Sequence, residues 1–254
     1  MIRGLIGMVH LGPLPGSPRP APLKETIDRA VSDATTLGDA GFDALMIENF
    51  GDAPFFTDDV PKITIAAMTR VVSAIADAIN LPFGVNVLRN DGLGAMAVAC
   101  ATGAAFVRVN VLSGSMSTDQ GPIIGKAAEL ARLRMAIAPD IAVLADVMVK
   151  HATPPPGLTI EQAATDLWKR AGADGIIVSG AGTGQAINDA DLQVVHAAVP
   201  QAPLYAGSGV TADTVAEILQ VCAGVIVGTA IKAEGITTNR VDSDRAGAIV
   251  EAAR

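Results

Sequence analysis

The chain is poor in cysteine, aromatic rings and basic residues, and each shortage narrows what it can be. Its 254 residues include two cysteines, Cys100 and Cys222. They are too few and too far apart for a disulfide framework or a CxxC metal site. Both fall in apolar, helix-like stretches and are expected to be buried, reduced thiols. Aromatic residues make up only 3% of the chain, so the core is expected to be built from alanine and small branched side chains. Lys and Arg number 18 against 26 Asp and Glu, a net charge of −8. That balance argues against nucleic-acid or anionic-membrane binding, which need broad basic patches, but leaves room for a local cationic pocket. No apolar run reaches the ~18 residues of a membrane span. Residues 1–10 also lack a charged-then-apolar leader pattern. A soluble, cytoplasmic protein without integral membrane contact is expected.

What the chain does have is a rhythm. Eight short apolar runs, at 5–10, 44–48, 83–87, 105–109, 142–146, 175–179, 203–206 and 224–227, end in polar or glycine-rich residues. Helix-like stretches follow at 23–40, 62–79, 92–102, 122–138, 159–171, 190–198, 212–220 and 243–253. A parallel strand covered on both faces reads as a continuous apolar run, and each needs a crossover helix before the next. Eight such units in this length predict an α/β fold, a single (β/α)₈ TIM barrel over residues 1–254. Glycines at 41, 103 and 172 read as helix C-caps feeding the next strand. The proline-rich segment 12–22 is long enough to act as a lid. The apolar stretch 95–101 is a candidate subunit interface for a homo-oligomer, or is buried under a neighbouring helix.

In such barrels the chemistry lies where strands run into βα loops. Two small-residue turns, Gly207-Ser208-Gly209 and Gly228-Thr229-Ala230, directly follow the last two predicted strands. Small residues let backbone amides approach an anion, and a helix N-terminus adds a favourable dipole. A phosphate monoester is expected on the amides of Ser208, Gly209, Thr229 and Ala230; the plainer alternative is two tight turns that need glycine. The run Ser179-Gly180-Ala181-Gly182-Thr183-Gly184 lacks dinucleotide-binding spacing. It is expected to close over the same anion or the substrate through Gly182, with Ser179 and Thr183 as hydrogen-bond donors.

The other strands end in polar groups that are costly to bury unpaired. Glu48 and Asp146 are candidate acid/base groups, or partners of cations. Arg108 could grip an anion bidentately or pair with Glu48. Asn86 and Asn110 are candidate substrate-orienting amides, or turn caps. Lys150 is a candidate clamp, acid or Schiff-base amine, or a solvated charge. His10 is a candidate proton donor at the rim, or a structural histidine. A metal held by His10, Glu48, Asp146 and His151 is conceivable, but no metal-binding spacing supports it. No metal or cofactor is therefore expected. Neither a GxSxG elbow nor a P-loop occurs. His196, in a predicted helix, has no assigned role.

Several blocks resemble the BtpA/SgcQ family. They are Gly7-Met8-Val9-His10-Leu11-Gly12-Pro13-Leu14-Pro15-Gly16, Met46-Ile47-Glu48-Asn49-Phe50-Gly51-Asp52, Gly84-Val85-Asn86-Val87-Leu88-Arg89-Asn90 and Arg108-Val109-Asn110. The likeness continues in Asp146-Val147-Met148-Val149-Lys150-His151-Ala152, the 179–184 run, Gly207-Ser208-Gly209-Val210 and Val227-Gly228-Thr229-Ala230-Ile231-Lys232. The blocks run in order over nearly the whole chain. The resemblance implies a ribulose-phosphate-binding barrel and, for cyanobacterial members, a part in photosystem I biogenesis as peripheral thylakoid proteins. Together with the loop reading it gives the expected function, an isomerase- or lyase-type enzyme acting on a small phosphorylated metabolite. The alternatives are a non-catalytic assembly factor and a metal-dependent hydrolase.

Overall fold

The computed structural model describes residues 2–180, 182, 184 and 187–254. The chain begins with β1 (Gly4–His10), α1 (Leu23–Ala40), β2 (Ala44–Glu48), α2 (Lys62–Ala78), β3 (Phe83–Asn86), α3 (Gly92–Thr102) and β4 (Phe106–Val109). After β4 comes a hairpin, β5 (Ser115–Thr118) and β6 (Gly121–Ile124), then α4 (Ala127–Ile137) and β7 (Ala142–Asp146). A short β8 (Ala152–Thr153) precedes α5 (Ile160–Asp166), which runs on as a π-helical turn over Leu167–Ala171. The last units are β9 (Gly175–Val178), α6 (Asp189–Ala198), β10 (Leu204–Ala206), α7 (Val215–Val221), β11 (Gly224–Val227) and α8 (Ser243–Ala253).

Eight strands close into a parallel barrel in the order β1-β2-β3-β4-β7-β9-β10-β11, with β11 returning to β1. This is the expected (β/α)₈ fold. The helices form because each carries an apolar stripe that packs on the strands, while the strands are buried on both sides. Capping agrees with the sequence. The Thr159 side chain accepts from the Gln162 amide, and Gly41, Gly103 and Gly172 end their helical segments in the left-handed region.

The barrel interior holds a separate layer that includes Ile6, Met8, Met46, Phe106, Leu144, Ile177, Tyr205 and Ile226. Phe106 and Tyr205 reach across it over small neighbours. A Cβ added at Gly84 would overlap the Phe106 ring, and one at Gly175 would lie 2.6 Å from Tyr205 Cε2. Gly84→Ala is therefore expected to overpack the interior and cost about 1–3 kcal/mol, measurable as a lower denaturant midpoint with an unchanged slope.

Three expectations are corrected. Residues 122–138 do not form one helix, since Pro122 lies in β6 and α4 starts at Ala127. The hairpin pairs with β8 as a three-stranded antiparallel sheet beside the barrel mouth. Segment 12–22 is no lid. Leu14 is fully buried, its amide donates to Asp52 Oδ1 at 2.7 Å, and the Gly51 amide donates to the Leu11 carbonyl at 3.0 Å. The segment is stapled to the β2–α2 loop, away from the cavity described below. Cys222 is buried but Cys100 is exposed on α3, and both are free thiols. In 95–101, Ala95, Met96, Val98 and Ala99 are buried, which leaves only Ala97, Cys100 and Ala101 outward. Among the described residues no helix is long and apolar enough to cross a membrane.

Candidate active site

Register carries the polar strand ends to one rim. His10 aligns with Glu48 and Glu48 with Asn86. At that rim opens a cavity of about 700 Å³. Its wall includes His10, Glu48, Arg108, Asn110 and Lys150, together with Gly207–Gly209 and Gly228–Ala230. Phe50 and Phe55 supply an apolar side, and the hairpin tip contributes Asp119 and Gln120.

One side of this wall presents the turns after β10 and β11 together with Arg245. Thr229 and Ala230 open a 3₁₀ turn directly after Gly228, and the first amides of a helical turn lack intrahelical partners. The Ser208 hydroxyl accepts from the Gly180 amide at 2.8 Å, stitching the 179–184 run to the β10 turn. From α8, Arg245 donates through Nε to the Ala230 carbonyl at 2.9 Å and also lines the cavity. The strap after β11 is anchored from below. Lys232, fully buried, donates to the Met8 carbonyl at 3.0 Å and sits 3.6 Å from Asp33 Oδ2. Asp33 in turn accepts from the Val241 amide. Burial pushes the Lys232 pKa down to about 8, against the pull of Asp33.

The opposite side holds the ionisable groups. Arg108 forms a fork onto Asp146, Nε to Oδ2 at 2.9 Å and Nη2 to Oδ1 at 2.7 Å. Asn110 and Ser179 donate to the same carboxylate at 3.0 and 3.1 Å. Burial works against the Arg108 charge, but Asp146 more than offsets it and raises the guanidinium pKa. Glu48 is different. It is 6% exposed and its carboxylate accepts no hydrogen bond among the described residues; its nearest ionisable contact is His10 Nε2, at 3.9 Å. Burial raises its pKa, with Arg108 and Lys150 pulling the other way. His10 packs against Phe50, ring centroids 4.8 Å apart. Its pKa falls well below the usual histidine value through burial first and then the charges of Lys232 and Lys150. The imidazole is thus neutral at pH 7. Burial, then Arg108, likewise lowers the pKa of Lys150.

The BtpA family model matches residues 1–254. This chain belongs to the BtpA family. Among its relatives, the photosystem I biogenesis protein BtpA of Synechocystis is 43% identical over 98% of this chain and 87% of its own. An uncharacterized protein of Thermococcus kodakarensis is 46% identical, with coverage of 98% and 95%. The putative sgc region protein SgcQ of Escherichia coli is 31% identical, with coverage of 98% and 93%. Among solved structures, KGPDC of Streptococcus mutans superposes with a TM-score of 0.61 at 14% identity, covering 100% of this chain and 98% of that one. The N-acetylmannosamine-6-phosphate 2-epimerase of Clostridium perfringens gives 0.59 at 14% identity, with coverage of 91% and 88%. At such identities the likeness shows the fold alone.

In this BtpA-family barrel the sequence-derived residues divide into two groups. His10, Glu48, Arg108, Asn110, Lys150, Gly207, Ser208, Gly209, Gly228, Thr229 and Ala230 share the cavity. Asp146, Asn86, Ser179 and Gly182 do not line it. Asp146 has a fully buried side chain satisfied by four donated hydrogen bonds, so it positions Arg108 and does not fit the expected role in proton exchange. Asn86 donates to the Arg108 carbonyl and to Asn110, tying strand ends together where substrate contact was expected. Ser179 serves Asp146, and Gly182 is buried beside the cavity. Thr183 lies outside the described residues. The metal set is not assembled: among the described residues no group of three or more His, Cys, Asp or Glu is placed to hold an ion. Arg89 and Arg245 were missed. Arg89 stands in a block quoted for the family resemblance, where three residues beyond a strand end was a usable signal. Arg245 is one of several charges on a helix and had none.

Proposed function

We propose that the chain is an enzyme of isomerase or lyase type that acts on a small phosphorylated metabolite. The observation that carries this reading is the isolated Glu48 carboxylate. It is buried in a cavity with cations on one side and an amide-lined turn on the other, and no described group donates to it. A largely buried carboxylate that accepts no hydrogen bond is a stronger base than an exposed one. The phosphate would rest on the amides of Ser208, Gly209, Thr229 and Ala230, with Arg245 beside it. Glu48 would take a proton from a carbon next to a carbonyl. The electron pair would move onto the carbonyl oxygen, where Arg108, fixed by Asp146, and Lys150 oppose the developing charge. His10, neutral and facing Glu48, can relay the proton. In support, two fold neighbours are named as a 2-epimerase of N-acetylmannosamine-6-phosphate and a phosphoribosyl anthranilate isomerase.

Thermal unfolding with and without inorganic phosphate and ribose 5-phosphate tests the anion site. Both are expected to raise the midpoint, since a ligand at 100 times its Kd adds about 2.7 kcal/mol. Gly209→Asp, which places a carboxylate at the turn, should erase the rise, and Arg245→Met should reduce it. No rise with any phosphorylated compound would remove the reading. It would instead favour a non-catalytic assembly role, which the name of the Synechocystis relative suggests.

A further inference from the structure

Cations buried in folded proteins are normally paired with carboxylates. One buried and one half-buried cation at this cavity are not. Arg89, three residues beyond β3, is 6% exposed and lines the wall. Its one side-chain hydrogen bond within the described residues runs from Nη2 to the Lys150 carbonyl at 2.6 Å, a neutral acceptor. Lys150, four residues beyond β7 and half-buried, lines the same wall, and its ammonium makes neither a hydrogen bond nor an ion pair with the described residues. Burial lowers the pKa of both groups, with nearby Asp146 and Glu48 only partly offsetting it. Arg108, on β4 between β3 and β7, behaves oppositely because Asp146 grips it.

Their place in the barrel matters. In the closed order, β3 and β7 flank β4, and β4 stands four strands from β11 on either side. The Arg89–Lys150 pair therefore faces the β11 turn from the far side of the mouth. A guanidinium held by one nitrogen still presents donors in a fork that fits a carboxylate or phosphate.

Resting on the phosphate reading above, we infer that the substrate carries a second anionic group at the end opposite its phosphate, held by Arg89 together with Lys150. This makes the substrate class a phosphorylated sugar acid or a bisphosphate. A neutral-ended phosphosugar would leave the buried Arg89 and the half-buried Lys150 uncompensated.

The experiment is calorimetric titration with glucose 6-phosphate, 6-phosphogluconate, fructose 1,6-bisphosphate and gluconate. At least one of the two doubly anionic compounds should bind about tenfold or more tightly than glucose 6-phosphate, and which one it is distinguishes carboxylate from second phosphate. Arg89→Met should cancel that preference while leaving glucose 6-phosphate affinity nearly unchanged. Arg89→Gln, which keeps a donor for the Lys150 carbonyl, should cancel it too, and so separates charge from loop position. Equal affinities for all three phosphorylated compounds, or a preference that survives both variants, would overturn the inference alone. Binding of none of them would overturn it together with the phosphate reading.

Discussion

Glu48→Gln is expected to melt higher than the parent at neutral pH while losing turnover by about 10²–10⁴-fold. The two effects have one cause. Burial raises the Glu48 pKa, so the folded state holds that proton more tightly than the unfolded chain does. The stability this contributes is complete below the unfolded value of about 4.5 and is lost as pH rises through the higher folded value. Above it, the parent carries a buried carboxylate with no donated hydrogen bond. Glutamine keeps the shape and removes the charge. The difference in midpoint between variant and parent should thus be near zero at acid pH and grow toward neutrality. Each kcal/mol of difference appears as roughly 2–4 °C in a domain of this size. A midpoint difference independent of pH would show that Glu48 is not the strained group described here.

Asp146→Ala is expected to do the reverse. It removes the carboxylate that accepts from Arg108, Asn110 and Ser179. Breaking a buried pair from one side leaves an uncompensated charge and costs about 3–5 kcal/mol. The midpoint should drop by roughly 6–20 °C. Replacing both partners, Arg108→Met with Asp146→Leu, should recover much of that loss while leaving the mouth without its fixed cation. Denaturant midpoints of Arg108→Met, Asp146→Leu and the double variant measure the cycle. If Asp146→Ala proved as stable as the parent, the fork would not be what fixes Arg108.

The barrel was legible because its signal is periodic and repeated. Strand β11 and helix α8 fall where apolar pattern and flanking glycine or aspartate place them. The hairpin was not. Proline is favoured at the first position of a helix and is also tolerated on an edge strand, so Pro122 fits either reading locally. Pairing with β5 on one side decided it. At the site, strand-end positions identified Glu48, Arg108 and Lys150 as groups at the mouth. They did not say which acid faces the cavity. Glu48 and Asp146 look alike in sequence, yet one is left without donors and the other receives four hydrogen bonds. That difference depends on Asn110 and Ser179, from other strands. Arg245 reaches the mouth only because α8 folds back over the 3₁₀ turn.

Lys232 has a consequence for the order in which the molecule can assemble. It ties the strap after β11 to the Met8 carbonyl and to Asp33 of α1, along the seam where β11 meets β1. The turn after β11 therefore takes its shape from contacts 224 and 199 residues apart in the chain. Such distant contacts form late, after the entropy of closing the intervening loop has been overcome. On the proposed phosphate reading, an anion at that turn would recognise the closed ring and not an open intermediate, and would act as a clasp on the last junction of the barrel to form.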